Sequence, residues 1–246
     1  MRSTRAVGAG LLLAFAALLS PDQAAGQYYE PGQWRVNTVF GVSSYDGAAG
    51  LKTTGFVGGE VHYSFTRNIS LGGTINFSRP EVNGAYFPLA LFKIAADTSI
   101  LYEAGYQATQ STYNVLATLG TPVMERGYVY ALGGVGGYTI WTSPSSVRDI
   151  AELNDRRAVT HMMIPVGLGV AYAVSDAVGV RISARDDIFL KGDALRGELN
   201  PVEPRFQNTC AVENFCILEA NRNPPEPKST LHNFRFSIGF EFTPGR

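Results

Sequence analysis

The stretch ISLGGTINFS, residues 69–78, alternates between two kinds of side chain. The odd positions are apolar or small: Ile69, Leu71, Gly73, Ile75 and Phe77. The even positions are polar or small: Ser70, Gly72, Thr74, Asn76 and Ser78. Successive side chains of a β-strand point to opposite faces of the sheet. The stretch therefore predicts a strand with one apolar face and one polar face.

The same alternation recurs along most of the chain. Together with the first stretch it defines eight predicted strands at residues 34–42, 54–65, 69–78, 110–119, 128–141, 159–174, 178–189 and 233–242. The fifth strand contains the run GGVGG, so its pattern does not determine which of its side chains face the lumen and which face outward. Eight alternating segments of roughly ten residues are typical of a small transmembrane β-barrel.

The connections between these strands alternate in length, independently of the polarity pattern. The long ones, named loops one to four here, are residues 44–53, 79–109, 142–158 and 190–232, and short turns follow the second, fourth and sixth strands. Bacterial barrels have short periplasmic turns and long outer loops. Loop two contains the apolar run YFPLALFKIA, and a hairpin there would give ten strands instead of eight.

Aromatic residues gather near the predicted strand ends. Near the periplasmic ends these are Trp34, Tyr63, Phe65, Tyr128, Tyr172, Phe240 and Phe242. Nearer the outer ends they are Phe77, Tyr113, Tyr138 and Phe234. Two such girdles are expected where a barrel crosses the two interfaces of a membrane.

The N-terminal residues predict export. Arg2 and Arg5 precede an apolar run at residues 6–19, which is too short for a membrane-spanning helix and has the length of a signal-peptide core. Small residues at 24–26 predict cleavage after Gly26, which leaves residues 27–246 as the barrel domain. No later apolar run reaches 18 residues. The exported chain is therefore either soluble or a barrel, because only helices and closed barrels satisfy the backbone in lipid.

The composition and the two cysteines narrow the class of protein further. Charged residues make up 17% of the chain, against about 25% in a typical soluble domain. The net charge of -1 gives no sign of nucleic-acid binding. The two cysteines, Cys210 and Cys216, predict a local disulfide in loop four, since an exported protein meets an oxidising environment. A cysteine metal pair is disfavoured, because no histidine lies nearby and the spacing is unsuitable.

The last strand, HNFRFSIGFEF at residues 232–242, resembles the C-terminal assembly signal of outer-membrane barrels. Phe240 and Phe242 match its closing aromatic residues, although the four residues TPGR follow. The whole mature chain resembles the small outer-membrane barrels related to the N-terminal domain of outer-membrane protein A. The resemblance implies an all-β, eight-stranded, antiparallel up-and-down transmembrane barrel in a bacterial outer membrane. It also implies barrel-assembly machinery, membrane lipid and lipopolysaccharide as partners, with no cofactor and no periplasmic domain.

The polar faces of the strands place charged side chains in the barrel lumen. The predicted luminal network is Arg35, Glu60, His62, Arg181, Arg185, Arg235 and Glu241. An eight-stranded barrel is just wide enough to be filled by side chains, and an isolated buried charge costs several kcal/mol. We therefore expect these residues to pair and form a structural plug. The alternative is a narrow solute path, for which four arginines against two glutamates would favour anions.

The sequence contains only weak candidates for catalytic residues. His62 and Ser64 resemble the His-x-Ser pair of lipid-A deacylase barrels, but both are predicted to face the lumen near the periplasmic end. Asp186 and Asp187 are adjacent on a strand and are expected to point to opposite faces. No catalytic residue and no metal site is predicted. The favoured function is a structural or surface-binding barrel that acts through loops two and four. The alternatives are a small-solute channel and a lipid-modifying enzyme.

Overall fold

A computed structural model describes residues 30–81, 90–95, 98–100, 108–142, 157–192, 215–217 and 228–244. Its strands are β1 (Trp34–Tyr45), β2 (Thr54–Ser64), β3 (Ile69–Ser78), β4 (Ala90–Ala95), β5 (Thr98–Ile100), β6 (Ala108–Pro122), β7 (Gly127–Thr142), β8 (Arg157–Ala173), β9 (Val178–Leu190), β10 (Phe215–Ile217) and β11 (Thr230–Phe242). A short 3-10 helix, η1 (Gly47–Ala49), follows β1. Within these ranges, no helix has the length and apolarity needed to cross a membrane.

Eight of the strands close into one antiparallel barrel. The order around the barrel is β1, β11, β9, β8, β7, β6, β3 and β2. This confirms the predicted fold class and the count of eight barrel strands. Loop two does contain a hairpin, β4 with β5, but that hairpin joins β10 of loop four in a separate three-stranded sheet. The apolar run of loop two therefore adds no strand to the barrel.

The alternation of connection lengths is also confirmed. Residues 65–68, 123–126 and 174–177 join neighbouring strands at one end of the barrel, which we call the turn end. The long loops leave from the opposite end, the loop end. Side chains brace the short turns: the Thr66 hydroxyl accepts from the amides of Asn68 and Ile69, and the Ser175 hydroxyl accepts from the amide of Val178.

The register of the strands fixes their tilt. Paired residues lead from Trp34 around the barrel through Tyr63, Leu71, Ala117, Gly133, Val166, Asp186 and Phe234 to Ser44. One circuit therefore advances ten residues along β1, from 34 to 44. For eight strands this stagger corresponds to a tilt of about 40°, with an interior that side chains can fill.

The outside of the barrel is apolar over the length of the strands. On β11, for example, alternate side chains are between 45% and 61% exposed, namely Phe234, Phe236, Ile238, Phe240 and Phe242. An exposed apolar surface of this extent is typical of contact with a membrane. The polar residues between them face the lumen, as the alternation predicts.

Two members of the predicted aromatic girdles do not belong to the outer surface. Tyr128 is 6% exposed and Tyr138 is 0% exposed, and both point into the lumen. The prediction was wrong for these two because the glycines of β7 carry no polarity signal that would reveal its facing. Trp34, Tyr63 and Phe65 do form a contiguous aromatic group on the outside, with ring centroids 5.0 and 5.1 Å apart.

The chain continues in an ordered way past the predicted assembly signal. Phe240 and Phe242 lie on the outer face of the barrel. Thr243 is buried, and its amide donates to the carbonyl of Ala177 in the turn between β8 and β9. The backbone hydrogen bonding of β11 thus continues for at least one residue after Phe242. Their role in assembly stays a prediction.

The polar lumen as the candidate functional site

The structure places all seven residues of the predicted luminal network inside the barrel. Each is less than a tenth exposed: Arg35, Glu60, His62, Arg181, Arg185, Arg235 and Glu241. They all project from β1, β2, β9 and β11, which are four consecutive strands and form one half of the wall. The long charged side chains therefore reach from one side of the lumen toward the other.

The lower charge cluster, nearer the turn end, is organised around Glu60 and Glu241. The Arg181 Nη1 atom lies 3.2 Å from Glu241 Oε2 and 3.7 Å from Glu60 Oε2. Arg35 contributes a further ion pair to Glu241 at 3.6 Å. Asn37 donates to Glu60 at 3.2 Å. Each carboxylate thus meets more than one cation or donor, which is what a buried charge needs to be tolerated.

A tyrosine completes this lower cluster from the opposite half of the wall. Arg181 Nε donates to the Tyr130 hydroxyl at 3.2 Å, and the Arg181 guanidinium lies 4.5 Å from the centre of the Tyr130 ring. A guanidinium stacked on an aromatic ring gains cation–π attraction that is strongest when both groups are removed from water. Tyr130 therefore fixes the arginine that links the two glutamates.

The upper charge cluster, nearer the loop end, centres on Asp187, which is missing from the predicted network. Its carboxylate is 0% exposed and lies 3.0 Å from Arg185 Nε and 2.9 Å from Arg235 Nη1. Arg235 also donates to the Thr112 hydroxyl at 3.0 Å and stacks on the Phe56 ring at 3.8 Å. Among the described residues, the lumen therefore holds three carboxylates against four arginines, and the predicted count of two carboxylates was wrong.

A simple signal could have found Asp187. Residues two apart on a strand share a face, so Asp187 faces the same way as Arg185, which was predicted to be luminal. Its neighbour Asp186 faces outward and binds His232, with 2.7 Å between the carboxylate oxygen and Nδ1. The prediction that the adjacent aspartates diverge is therefore correct.

The His62–Ser64 pair does not form a catalytic arrangement. Both residues are 1% exposed and lie inside the lumen. His62 Nε2 lies 3.3 Å from Glu60 Oε2, while the Ser64 hydroxyl accepts from Arg35 at 3.0 Å. A serine nucleophile needs a base within hydrogen-bond reach. Here the histidine is engaged with a glutamate and the serine with an arginine, so both residues are part of the lower cluster.

Glycines on neighbouring strands make room for the luminal side chains. A Cβ atom added to any of several glycines would lie between 2.2 and 2.6 Å from a luminal side chain. The glycine and side-chain pairs are Gly41 with Phe56, Gly58 with Asn76, Gly72 with His62, Gly120 with Tyr128, Gly136 with Asn114 and Gly169 with Tyr130. The side chains therefore lie across bare backbone, which explains how a narrow barrel holds so many large groups.

An apolar cap lies at the loop end of the lumen. It consists of Tyr45, Ala48, Ala49, Leu51, Ala108, Tyr138, Ile140, Met163, Phe189 and Leu231. The Tyr138 and Phe189 rings stack with centroids 4.1 Å apart, and the Tyr138 hydroxyl donates to the carbonyl of Leu190. Three members of the cap, Ala48, Ala49 and Leu51, come from the connection between β1 and β2, which folds inward over the barrel mouth.

The loop-one segment is anchored at both ends. Asp46 caps η1 by accepting from the amide of Ala48, and it pairs with Lys228 at 3.0 Å. Its own amide donates to the carbonyl of His232. Partial burial would raise the pKa of Asp46, but the Ala48 amide and the Lys228 ammonium outweigh it and hold that pKa below the ordinary value. At the other end, Lys52 pairs with Glu81.

The histidine His161 and the cysteines lie near the loop end or outside the described residues. His161 is half-buried beside the Tyr138 ring, with centroids 6.0 Å apart. Among the described residues, no group of three or more His, Cys, Asp or Glu side chains is arranged to hold a metal ion. Cys216 lies in β10, whereas Cys210 and the signal peptide lie outside the described residues. The disulfide stays a prediction.

Comparison with known proteins agrees with this architecture. No protein-family model and no curated protein matches the sequence. Among solved structures, the crystal structure of Neisserial surface protein A matches with a TM-score of 0.50 and 10% identity, covering 85% of this chain and 96% of that one. The fold is that of a small outer-membrane β-barrel.

Further solved structures are similar at a lower score. The outer membrane protein OprG from Pseudomonas aeruginosa has a TM-score of 0.49 and 11% identity, covering 88% of this chain and 98% of that one. The attachment invasion locus protein Ail of Yersinia pestis has a TM-score of 0.43 and 10% identity, covering 86% and 99%. At such identities the likeness concerns the small outer-membrane barrel fold alone, so function must be argued from the lumen and the loops.

Proposed function

We propose that this protein is an integral barrel of a bacterial outer membrane, exported through a cleaved signal peptide. Its role is structural or surface-binding, and it acts through its long outer loops. The observation that carries this proposal is the filling of the lumen by side chains. Two clusters of paired charges lie in it, and an apolar cap lies at its loop end. We infer that a barrel filled in this way conducts no solute and that its exposed loops are the parts available for recognition.

The loop end supports the same proposal. Loops two and four are the longest connections, and β10 of loop four pairs with β4 of loop two. Two loops far apart in sequence therefore contribute to one small sheet. A single composite surface of this kind suits recognition of a partner better than two independent flexible loops would. The predicted Cys210–Cys216 disulfide would end inside this sheet, at Cys216.

The experiment is a flux measurement on liposomes that carry the refolded mature chain, residues 27–246. Folding is checked first by the change in gel mobility on boiling. Neutral arabinose and chloride are the two probes. We expect no uptake of either above empty liposomes. Uptake of either probe by correctly folded protein would refute the inference that the filled lumen conducts no solute.

A narrow channel remains the second candidate, because one part of the lumen is lined with polar atoms that have no partner among the described residues. The excess of arginine over carboxylate in the lumen is only one when Asp187 is counted. The case for anion selectivity is correspondingly weaker than the sequence predicted. Chloride uptake that exceeds arabinose uptake would favour this channel and would make Arg181, Arg185 and Arg235 the first residues to substitute.

A further inference from the structure

One interface of the barrel wall differs from the other seven. The ladder between β7 and β8 lapses between Gly133, which pairs with Val166, and Gly136, which pairs with Met163. The other seven interfaces pair without interruption. Both strands advance by three residues across the lapse, so no residue is inserted and the register is unchanged. The lapse is therefore a loss of hydrogen bonding and not a β-bulge.

Pro165 explains the lapse. It lies in the middle of β8, opposite Gly134, with a paired strand on each side. Proline has no amide hydrogen, so the carbonyl of Gly134 receives no hydrogen bond from the facing strand. On its other side Pro165 pairs with Asp187 of β9, because the ladder on that side does not use the amide of residue 165. Proline inside a sheet is otherwise confined to edge strands and bulges, so its place here is unusual.

Glycine also removes side-chain contacts from the interface between β7 and β8. From Tyr130 to Gly137 there are eight facing positions, and glycine occupies one side or the other at six of them, those of residues 130, 132, 133, 134, 136 and 137. In the ladder between β9 and β11, only two of thirteen pairs contain a glycine. Facing side chains stabilise a pair of strands, and glycine contributes none. The lapse thus lies where cross-strand contacts are also fewest.

The glycines of β7 are covered from the β6 side and not from the β8 side. A Cβ atom added to the glycine would have all three of its nearest atoms in β6 at each of Gly134, Gly136 and Gly137. The Tyr113 ring and the Asn114 side chain lie across these glycines. Toward β8, a Cβ atom at Gly133 would meet only the carbonyl oxygen of Pro165, at 3.9 Å. β7 is therefore fastened to β6 more firmly than to β8.

Side chains join β7 and β8 on both sides of this segment. Toward the loop end, the Thr139 and Thr160 hydroxyls are hydrogen-bonded at 2.9 Å. Toward the turn end, the Tyr130 ring lies across Gly169. The weakened segment consists of residues 133–137 of β7 and 162–166 of β8, which we call the seam. Its exposed outer side chains are all apolar and face the membrane, namely Val135, Met162, Ile164 and Val166.

We propose that the seam is where this barrel wall opens, by separation of its two segments while the other seven interfaces stay paired. Within a membrane no water is at hand to satisfy a freed backbone group. An opening that begins where a hydrogen bond is already missing breaks fewer bonds than an opening elsewhere. The seam lies beside the upper charge cluster, because Pro165 faces Asp187. The proposal goes beyond the surface role, since it assigns a conformational change to the wall itself.

Hydrogen exchange in the refolded mature chain tests the seam. Backbone amide exchange is followed by NMR in detergent micelles at Gly136 and Met163, the seam amides, which face each other across β7 and β8. Asp187 and Asn233 are the reference amides, which face each other across the uninterrupted ladder of β9 and β11. After correction for intrinsic rates, the seam amides are expected to exchange at least tenfold faster than the reference amides. Equal rates would overturn the proposal.

Pro165→Ala is the decisive variant, because it restores an amide hydrogen opposite Gly134. The seam amides are expected to exchange about three- to tenfold more slowly, as one regained hydrogen bond would give, and the reference amides should change less than twofold. Pro122→Ala is the matched control, since Pro122 ends β6 and lies outside the seam. It should change neither set. Unchanged seam amides in Pro165→Ala, or equal slowing at both interfaces, would contradict the proposal.

A cross-link provides a second route if Pro165→Ala does not fold. Val135→Cys with Ile164→Cys joins the two strands across the seam, in a chain whose two native cysteines are replaced by alanine. Its disulfide is expected to slow the seam amides at least threefold relative to the reduced form of the same variant. Ile182→Cys with Ile238→Cys is the control, because these residues pair across β9 and β11. Its disulfide should leave the seam amides within twofold, and equal effects of the two cross-links would count against the seam.

Discussion

The buried carboxylate of Asp187 provides the sharpest test of the luminal charge network. The change is Asp187→Asn, which keeps the size of the side chain and removes its charge. Asp187 is fully buried, with Arg185 at 3.0 Å and Arg235 at 2.9 Å. Removing one member of a buried ion pair leaves the other charged and unpaired, which typically costs 3–5 kcal/mol. We expect a loss of about that size in the free energy of unfolding.

The assay is urea unfolding of the refolded barrel in detergent micelles, followed by the fluorescence of Trp34 and Trp141 and analysed by linear extrapolation. The matched control is Asp186→Asn, the same chemical change one residue away on the opposite face. Asp186 pairs with His232, whose side chain is 46% exposed, so a loss of only about 0–1 kcal/mol is expected. If the two variants differ by less than about 1 kcal/mol, water screens the lumen and the reasoning fails.

Two further predictions rest on the structure and a third rests on the sequence. Gly169→Ala would place a Cβ 2.3 Å from the Tyr130 ring. It should lower the unfolding free energy by about 1–3 kcal/mol through overpacking, whereas Gly133→Ala, with its nearest atom at 3.9 Å, should cost clearly less in the same urea titration. Asp46 has a pKa below its ordinary value of 3.8, so its stabilising contribution is full above that value and is lost as the pH falls below it. The stability advantage of the parent over Asp46→Asn should therefore hold between about pH 6 and pH 4 and shrink as the pH falls from about 4 to about 2, and an advantage that stays constant down to about pH 2 would contradict the assignment. Finally, thiol titration of the denatured, unreduced mature chain should find no free thiol if Cys210 and Cys216 are joined, and two if they are not.

The sequence alone was enough for the barrel and for the facing of most of its strands. Alternation with a period of two is a local property, because each side chain takes the face opposite to its neighbour whatever the rest of the chain does. The regular order of short turns and long loops then fixed the up-and-down path. The alternation therefore assigned Arg35, Glu60 and Glu241 to the lumen. On β7 the alternation is interrupted by glycines, so it could not show that Tyr128 and Tyr138 point into the lumen.

Only the tertiary structure decided which luminal groups meet. The pairing of Asp187 with Arg235 depends on the register between β9 and β11. The pairing of Arg181 with Tyr130 depends on the registers of β7 with β8 and of β8 with β9, and no single strand carries a mark of either register. The same holds for loop one, whose Ala48 and Ala49 pack against side chains from five strands, β6, β7, β8, β9 and β11. Which face of the barrel a side chain takes is set within its own strand by backbone geometry. Partners are set by the register between different strands, so they appear only when the strands have paired.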